Sequence, residues 1–419
     1  MSVAQERGSR IVVTGMGAVT PIGLDVPSTW DSAVHGRSGV ATVESFDVSD
    51  LDVKIAGEVK RFDPAQYLDR KEARRMDRFL QLGIVATQEA VRDACLRVEP
   101  EEAERTAVLV GSGIGGIGTI VDAAVTLHTR GPDRVGPFVV PMMLPDMLAG
   151  LIAIQTGAKG PNFAVASACA TAGHAVGEAA ALIRRGEADV VICGASEAPV
   201  TRIGLAAFDS MRALSRRNDE PERASRPFDA ERDGFVLAEA AGILIIETLE
   251  HAERRGAPRV YAEIAGYGAT ADAYHITAPS EGGEGAARAI KMALDKAGVQ
   301  PSEVGYINAH GTSTPHNDRT ETQAIKAVFG EHAPPVSSTK SMTGHLIGAS
   351  GAVEAIICIK TMLEGCLPPT INYEHPDPDC DLDYVPNHAR PARVNVAVSN
   401  SLGFGGHNTA LVLRRLADA

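Results

Sequence analysis

The 419-residue sequence lacks the charge balance of a nucleic-acid-binding protein. It contains 40 lysine and arginine residues against 53 aspartate and glutamate residues, which gives a formal net charge of -13 at pH 7. Proteins that bind nucleic acids present a net basic face to the phosphates. The composition therefore argues against a nucleic-acid partner, although it leaves room for a local basic patch.

Long apolar segments are also missing. The sequence has no run of about 18 apolar residues, the length that suggests a membrane-spanning helix. Its first ten residues, MSVAQERGSR, contain no apolar core of a signal peptide. We therefore expect no membrane association and a cytoplasmic location.

Paired cysteine motifs are absent as well. The six cysteines lie far apart, with no CxxC pair and no Cys/His spacing that suits a zinc site. In a cytoplasm they would stay reduced. Most of them are predicted to be small apolar core residues, so a cysteine in a different setting is a candidate for chemistry.

What the sequence does contain is an alternation of strand-like and helical segments. Runs rich in valine and isoleucine, such as RIVVTGMG, DVVICGAS, VGYINAHG and VNVAVSNS, alternate with alanine-rich stretches. This alternation predicts an α/β protein. Several strands are apolar throughout, as expected when helices cover both faces of a sheet.

Two parts of the chain follow one plan of strand, polar turn, helix and strand. The first runs from NFAVASACATAGHAVGEAAALI to DVVICGAS, and the second from PVSSTKSMTGHLIGASGAVEAIICI to VNVAVSNS. The length also favours two units. We predict a first half, residues 1–257, with a candidate nucleophile, and a second half, residues 258–419, with two candidate histidines. The boundary lies where HAERRGAPRVYAE interrupts a charged helix.

Cys169 is the cysteine with a distinct setting. It follows an apolar strand and opens an alanine-rich helix. The free amides and the dipole of that helix end would favour a thiolate, and the same amides could donate to an oxyanion during acyl transfer. From this pattern alone, a buried core cysteine is an equally good interpretation.

Two histidines occur in polar segments of the second half. His310 ends an apolar strand in INAHGTSTP, where it can point into a cleft or be a satisfied structural histidine. His345 lies in SSTKSMTGHLIGASGAVEA, with Lys340 before it and Glu354 after it. The lysine and the glutamate are also compatible with an ordinary surface pair.

Two glycine-rich segments have competing interpretations. In SNSLGFGGHN, Phe404 lies between glycines, which predicts either a mobile loop close to a ligand or a tight turn. The segment GSGIGG, residues 111–116, matches the GxGxxG pattern of dinucleotide-binding proteins. The acidic residue expected about 20 residues later is missing, which argues against a nucleotide site.

Several longer motifs occur in a fixed order along the chain. They are SACATAGH, RALSRRND, ASRPFDAERDGFV, NAHGTSTP, SSTKSMTGHLIGASGAVEA and LPPTIN. In these motifs, from RIVVTGMGAVTPIG to SNSLGFGGHN, the sequence resembles the beta-ketoacyl-acyl carrier protein synthases, most closely the type II elongating enzymes. The resemblance implies the thiolase fold, in which two similar halves build a duplicated five-layered αβαβα body. It also implies a homodimer and no required cofactor.

The resemblance implies a mechanism. Cys169 would accept an acyl group from acyl carrier protein as a thioester. His310 and His345 would then promote decarboxylation of malonyl-acyl carrier protein, and the enolate would attack the acyl group. The amides of Cys169 and Phe404 would hold the oxyanion, with Phe404 as a gate. Two further residues would order the histidines and the charge balance of the site: Lys340 and Glu354.

The resemblance also assigns residues that contact substrate and partner. Thr312 and Thr314 would meet the pantetheine arm, and Ile114 and Phe208 would line the acyl pocket. The acidic carrier protein would dock on a cationic patch despite the negative net charge, although a solvated helix face of mixed charge explains the same residues. The docking residues are Lys71, Arg74, Arg75 and Arg134.

Some relatives bind a buried monovalent cation, and the sequence departs from the family at a few positions. The cation lies near the positions of Asn308, Glu354, Ser399 and Asn400. Relatives usually have glycine at three positions that are alanine here, where each added methyl group could change the pocket size. These are Ala172, Ala238 and Ala240.

Alternatives within this resemblance are separated by single residues. A thiolase needs a second reactive cysteine near the C-terminus, which nothing after Cys380 supplies. An initiating synthase of the third type has asparagine in place of His345, and a chain-length subunit lacks the nucleophilic cysteine. A type II polyketide ketosynthase would use the same residues and stays open as the alternative.

Overall fold

The computed structural model describes residues 10–416. Within this range the strands are β1 Ile11–Val19, β2 Ala41–Thr42, β3 Ile55–Ala56, β4 Thr106–Gly111, β5 Asn162–Phe163, β6 Val190–Glu197, β7 Ala240–Thr248, β8 Ala262–Ala271, β9 Tyr306–Asn308, β10 Val336–Ser337, β11 Cys366–Leu367, β12 Arg390–Pro391, β13 Val396–Gly403 and β14 His407–Arg414. The helices are α1 Val26–Val34, α2 Arg70–Ala73, α3 Arg78–Asp93, α4 Ile117–Arg130, α5 Val139–Met143, α6 Met147–Thr156, α7 Thr171–Arg184, α8 Arg202–Ser210, α9 Leu249–Arg254, α10 Glu284–Ala297, α11 Pro315–Phe329, α12 Lys340–Thr343 and α13 Ser350–Glu364. Among the described residues, no helix has both the length and the apolar character needed to cross a bilayer.

Ten of the strands form one sheet in the order β10-β9-β13-β14-β8-β1-β7-β6-β4-β5. The first five come from the second half of the chain and the last five from the first half. When the strands are numbered within their own half and read from the outer edge of the sheet towards its centre, each group has the order third, second, fourth, fifth, first. The groups join where β1 pairs antiparallel with β8, with Val12 opposite Glu263. The repeated order is the duplication that the sequence predicted.

Helices form three layers around these strands. Helices α3 and α6 pack on the strands of the first half, and α10, backed by α11, packs on those of the second half. Helices α7 and α13 lie in the centre and contact strands of both halves. Glycines permit this close packing, because a Cβ at Gly177 would lie 2.3 Å from the ring of Tyr267. The predicted five-layered αβαβα thiolase fold is confirmed.

The chain passes from one half to the other between β7 and β8. Helix α9 occupies the first part of this connection. The boundary predicted after residue 257 falls between α9 and β8, and the division into two domains stays a prediction.

Candidate active site

Cys169 lies in a strained turn at the start of the central helix α7. The turn is a 3-10 segment, Ala168–Ala170, and Ala168 has a φ of +48°, a conformation that non-glycine residues adopt rarely. The Thr171 hydroxyl closes the turn, since it accepts from the amide of Ser167 (2.9 Å) and donates to the carbonyl of Ala168 (2.7 Å). The thiol is directed to a cavity although only 6% of the residue is exposed.

His345 contacts this thiol directly. Its Nε2 lies 2.9 Å from the Sγ of Cys169, and its Nδ1 lies 3.3 Å from the Oγ of Ser350. The backbone amide of His345 donates to the carbonyl of Val236 (2.7 Å), and the ring of Phe235 packs edge-on at 5.2 Å. These contacts fix the imidazole, so Nε2 can accept the thiol proton.

His310 completes a cluster of three reactive side chains. Its ring centre lies 5.3 Å from that of His345, and one ring nitrogen of each histidine and the Sγ of Cys169 lie within 4.8 Å of one another. The amides of His310 and Gly311 each donate to the carboxylate of Glu321 at 2.8 Å. The Nδ1 of His310 is buried and has no hydrogen-bond partner among residues 10–416.

Lys340 and Glu354 form a buried ion pair rather than the surface pair that the sequence also allowed. Their side chains are 1% and 2% exposed, and the lysine Nζ donates to Oε1 of the glutamate. Burial and the Lys340 charge lower the pKa of both His310 and His345 well below its ordinary value. Both rings are therefore neutral near pH 7 and can each donate one N–H to a developing anion.

The protonation state of Cys169 differs from the expectation. The helix end predicted a thiolate, but burial raises the pKa of the thiol to about 12. The Lys340 charge and the backbone amides of Phe404 and Cys169 oppose this effect without overcoming it. The resting group is thus a thiol, and reaction requires proton transfer to His345.

The glycine-rich loop around Phe404 lies against the Cys169 turn. A Cβ at Gly403 would be 2.9 Å from the carbonyl oxygen of Ser167 and 3.2 Å from the Cys169 nitrogen, so the glycine is required for this approach. Gly405 and Gly406 have φ values of +87° and +74°. The amides of Phe404 and Cys169 both face the Sγ, an arrangement that can hold an oxyanion.

A cavity of about 320 Å³ connects these groups to the four predicted substrate residues. Ile114 and Phe208 lie on its apolar side, where Phe208 packs edge-on against Phe235 with ring centres 5.6 Å apart. Thr312 and Thr314 lie on a polar side, with their hydroxyls 3.0 Å apart. A cavity with one apolar and one hydroxyl-bearing wall suits an acyl chain on a polar carrier arm.

Family models match most of the chain. The model of the beta-ketoacyl synthase N-terminal domain matches residues 8–252, and that of the C-terminal domain matches residues 261–374. The chain belongs to the beta-ketoacyl synthase family. It is 52% identical to the 3-oxoacyl-[acyl-carrier-protein] synthase 2 of Synechocystis sp. over 408 residues, 97% of this chain and 98% of that protein. It is also 52% identical to the enzyme of that name from Staphylococcus aureus over 411 residues, 98% of this chain and 99% of that protein.

Solved structures of beta-ketoacyl synthases have the same fold. The ishigamide ketosynthase/chain length factor superposes with a TM-score of 0.91 at 37% identity, covering 98% of this chain and all of that chain. A type II polyketide ketosynthase, solved with its acyl-carrier protein and bound to a hexaketide, gives 0.89 at 36% identity with the same coverage.

The four basic residues predicted for carrier-protein docking are exposed on this beta-ketoacyl synthase. Lys71 lies in α2, Arg74 and Arg75 follow it, and Arg134 ends a short 3-10 segment. Arg75 stacks on the ring of Phe138 at 4.5 Å, which connects α2 to the segment after Arg134. None of the four forms an ion pair within residues 10–416, so their charges are available to a partner.

The residues predicted near a monovalent cation share one property. Each has a buried oxygen without a hydrogen-bond partner in the described part of the chain. Asn308 and Ser399 are register partners on the neighbouring parallel strands β9 and β13. The atoms are Asn308 Oδ1, Glu354 Oε2, Ser399 Oγ and Asn400 Oδ1. Buried oxygen atoms of this kind suit a hard cation, so the residues fit the ion that the family implies.

The three alanines that replace the family's glycines are buried beneath the site. The amide of Ala238 donates to the carbonyl of His345 at 3.0 Å, and Ala240 packs in the same small cluster. Ala172 packs with Ala195 and Ala352 between the central helices. The methyl groups are accommodated at these positions without a loss of the Cys169 to His345 contact.

Sequence reasoning missed two carboxyl groups beside the cavity. Glu321 holds the backbone at His310, and Glu197 accepts hydrogen bonds from the turn that carries Ile114. Burial raises the pKa of each to about 7. For Glu197 a signal existed, because an acidic residue closes the apolar strand DVVICGASE. For Glu321 no local pattern distinguished it from the polar face of α11.

Proposed function

We propose that the chain is a 3-oxoacyl-[acyl-carrier-protein] synthase of the second type, which elongates fatty-acyl chains. Malonyl-acyl carrier protein would be the extender substrate. The observation that carries the proposal is the cluster of Cys169, His345 and His310, which lines a cavity that also has an apolar wall. Relatives of that name, 52% identical over nearly the whole chain, support the choice of reaction.

The first half-reaction loads Cys169. As the acyl thioester enters, the thiol proton passes to Nε2 of His345, 2.9 Å away, and Sγ attacks the thioester carbonyl. The amides of Cys169 and Phe404 donate to the oxyanion of the tetrahedral intermediate. The intermediate collapses to the acyl-cysteine, and the carrier thiol leaves with the proton.

The second half-reaction forms the carbon–carbon bond. Malonyl-acyl carrier protein loses carbon dioxide, and the electron pair of the broken bond gives an enolate. The neutral rings of His310 and His345 donate N–H groups to the enolate oxygen, His345 in the tautomer that carries its proton on Nε2. The enolate carbon then attacks the acyl-cysteine carbonyl and Sγ leaves as a thiolate. One proton from solvent restores the thiol, and the product is 3-oxoacyl-acyl carrier protein.

A mass-spectrometric assay tests the reaction. The protein is incubated with acyl carrier proteins of graded chain length and malonyl-acyl carrier protein, and both the acyl-enzyme and the product are identified. We expect an adduct on Cys169 and one elongation of two carbons, both lost in Cys169→Ala. The control Cys366→Ala, in β11 away from the cavity, should retain both. Products of repeated condensation would instead indicate a polyketide ketosynthase, and unchanged condensation by Cys169→Ala would overturn the assignment.

We also propose that acyl carrier protein docks on the patch of Lys71, Arg74, Arg75 and Arg134. An acidic partner would gain from four cations that have no internal ion pair. The double variant Lys71→Glu/Arg74→Glu should raise the KM for the carrier protein about tenfold at low salt and leave kcat unchanged. Lys291→Glu, exposed on α10, is the matched control. The cytoplasmic location of this encounter stays a prediction.

A homodimer is the third part of the proposal. Both residues of the sheet-edge strand β5 are exposed, and α4 buries none of its residues although Val125 and Leu127 are apolar. An unpaired strand edge and an exposed apolar helix face favour association with a partner. A second copy of the chain can bury both if its β5 pairs with this β5. Val125→Asp should produce monomers in light scattering, whereas Met292→Asp on α10 should not. A wild-type monomer would contradict the dimer.

We propose that the oxygens around Asn308 and Glu354 hold a monovalent cation, which would balance the buried carboxylate and stiffen β9 and β13. The unpartnered oxygens of both residues support this site. Exchange of potassium for the bulky tetramethylammonium ion at constant ionic strength should lower the Tm. In Ser399→Ala the difference between the two salts should shrink. An identical Tm in both salts for the wild type would count against a bound cation.

A further inference from the structure

Glu197, at the end of β6, is a fully buried carboxyl group beside the active site. Its Oε1 accepts hydrogen bonds from the Ser112 hydroxyl (2.8 Å), the amide of Ile114 (3.3 Å) and the amide of Gly113. Its Oε2 is buried and has no hydrogen-bond partner among residues 10–416, and no cation pairs with it there. The group therefore keeps a negative charge only at a high desolvation cost.

The carboxyl lies behind the turn that carries Gly113 and Ile114, two residues that line the cavity. A Cβ at Gly113 would be 3.3 Å from the carbonyl oxygen of Ala168, so the Ile114 turn lies against the Cys169 turn. A Cβ at Gly348 would lie 2.9 Å from Oε1 of Glu197 and 3.1 Å from Cβ of Thr171. Glu197 thus holds the Ile114 turn, which itself lies against the Cys169 turn, and a side chain at Gly348 would be too close to the carboxyl.

Charge also connects Glu197 to the thiol. Burial has the largest effect on the pKa of Cys169 and raises it, whereas the Lys340 cation lowers it. The charge of Glu197 has the third largest effect and raises this pKa further. Burial raises the pKa of Glu197 itself to about 7, against the hydrogen bonds from Ser112, Gly113 and Ile114. Other ionisable groups around the thiol are His345, which contacts it, and the buried pair of Lys340 and Glu354.

We propose that Glu197 is a positioning residue for acyl transfer: it holds the Ile114 turn against the Cys169 turn and, when ionised, opposes formation of the Cys169 thiolate. The inference rests on the proposed function only in taking Cys169 as the nucleophile. It predicts that ionised Glu197 lowers the reaction rate of the Cys169 thiol. This effect should grow as pH rises and Glu197 loses its proton.

The test is the alkylation rate of Cys169 by iodoacetamide, followed by intact mass and peptide mapping. Glu197→Gln keeps an oxygen for the three donors and removes the charge. At about pH 6, where the carboxyl is largely protonated, we expect wild type and variant to have equal alkylation rates. At about pH 8.5 the variant should be alkylated about threefold to tenfold faster than wild type. A change that is only structural would move the rates at both pH values together.

Glu89→Gln is the matched control. Glu89 lies in α3 outside the cavity, and burial raises its pKa to about 7 as well. It should show the wild-type alkylation profile. Parallel wild-type and Glu197→Gln profiles, or the same divergence in Glu89→Gln, would overturn the inference.

A second variant keeps the test decisive if Glu197→Gln fails to fold. Ser112→Ala removes one hydrogen-bond donor to the carboxyl, so the pKa of Glu197 should rise. The effect of Glu197 on the alkylation rate should then begin at a higher pH. The variant should be faster than wild type near about pH 8 and similar near about pH 6. No divergence in this variant contradicts the inference. Alkylation needs no carrier protein, so a wild type that alkylates as expected but condenses nothing would refute the proposed function alone.

Discussion

The two central helices start with the same backbone and different chemistry. Helix α7 follows the 3-10 turn Ala168–Ala170, and α13 follows the 3-10 turn Ile347–Ala349. The first residue of each turn has a φ of +48°. The second residue is the proposed nucleophile Cys169 in the first turn and Gly348 in the other. Duplication therefore preserved a strained turn, while the side chain it presents diverged.

The second half supplies imidazoles instead of a nucleophile. His345 precedes its turn, and His310 follows β9, the second strand of its half. In the first half, the equivalent position after β4 is the Ser112–Ile114 turn, in which Gly113 and Ile114 line the cavity. In the proposed mechanism, one scaffold thus provides the sulfur and the pocket from the first half and the proton-transfer groups from the second, so both halves are required for the reaction.

The largest effect should come from separating the two histidines. His345→Ala should lower condensation about 10²–10⁴-fold and slow loading of Cys169, because the Nε2 of His345 lies 2.9 Å from the sulfur and can take its proton. His310→Ala should lower decarboxylation by a similar factor but leave acyl-enzyme formation nearly intact. Rapid-quench mass spectrometry measures loading and condensation separately. Equal loss of loading in both variants would contradict this division of roles.

Much of this site could be predicted from the sequence, because its groups lie at strand and helix ends. Cys169 and His310 stood out against apolar strands, and His345 lies within the second copy of the duplicated plan. Protonation could not be predicted in this way. Whether Cys169 is a thiol or a thiolate depends on burial against the Lys340 charge, and both arise from packing between elements more than 100 residues apart.

A second effect concerns the buried pair of the second half. Lys340→Ala should destabilise the fold by about 3–5 kcal/mol, because it leaves Glu354 buried without its cation. Urea unfolding of the variant measures this loss. The double variant Lys340→Met/Glu354→Gln is the control, and most of the stability should return because no uncompensated charge is left. Equal stability of Lys340→Ala and wild type would mean that the bound cation, rather than Lys340, balances the carboxylate.

The equivalent turn residues offer a direct comparison of the halves. Gly348→Ala should cost about 1–3 kcal/mol, since its Cβ would lie 2.9 Å from Oε1 of Glu197 and 3.0 Å from the Gly113 nitrogen. Cys169→Ala, at the matching position, should change stability by less than about 1 kcal/mol. Urea unfolding of the two variants side by side tests this asymmetry. Comparable losses would show that both turns tolerate a side chain equally.

The smallest effects should separate the cavity walls supplied by the two halves. Ile114→Phe adds bulk to the apolar wall, so loading of long acyl chains should fall about tenfold relative to short ones. Thr312→Val keeps the size of its side chain and removes a hydroxyl 3.0 Å from that of Thr314. It should raise the KM for every acyl-carrier substrate a few-fold with no preference for chain length. Competition between short and long substrates distinguishes the two outcomes, because a chain-length bias in Thr312→Val would place the acyl tail against the second half as well.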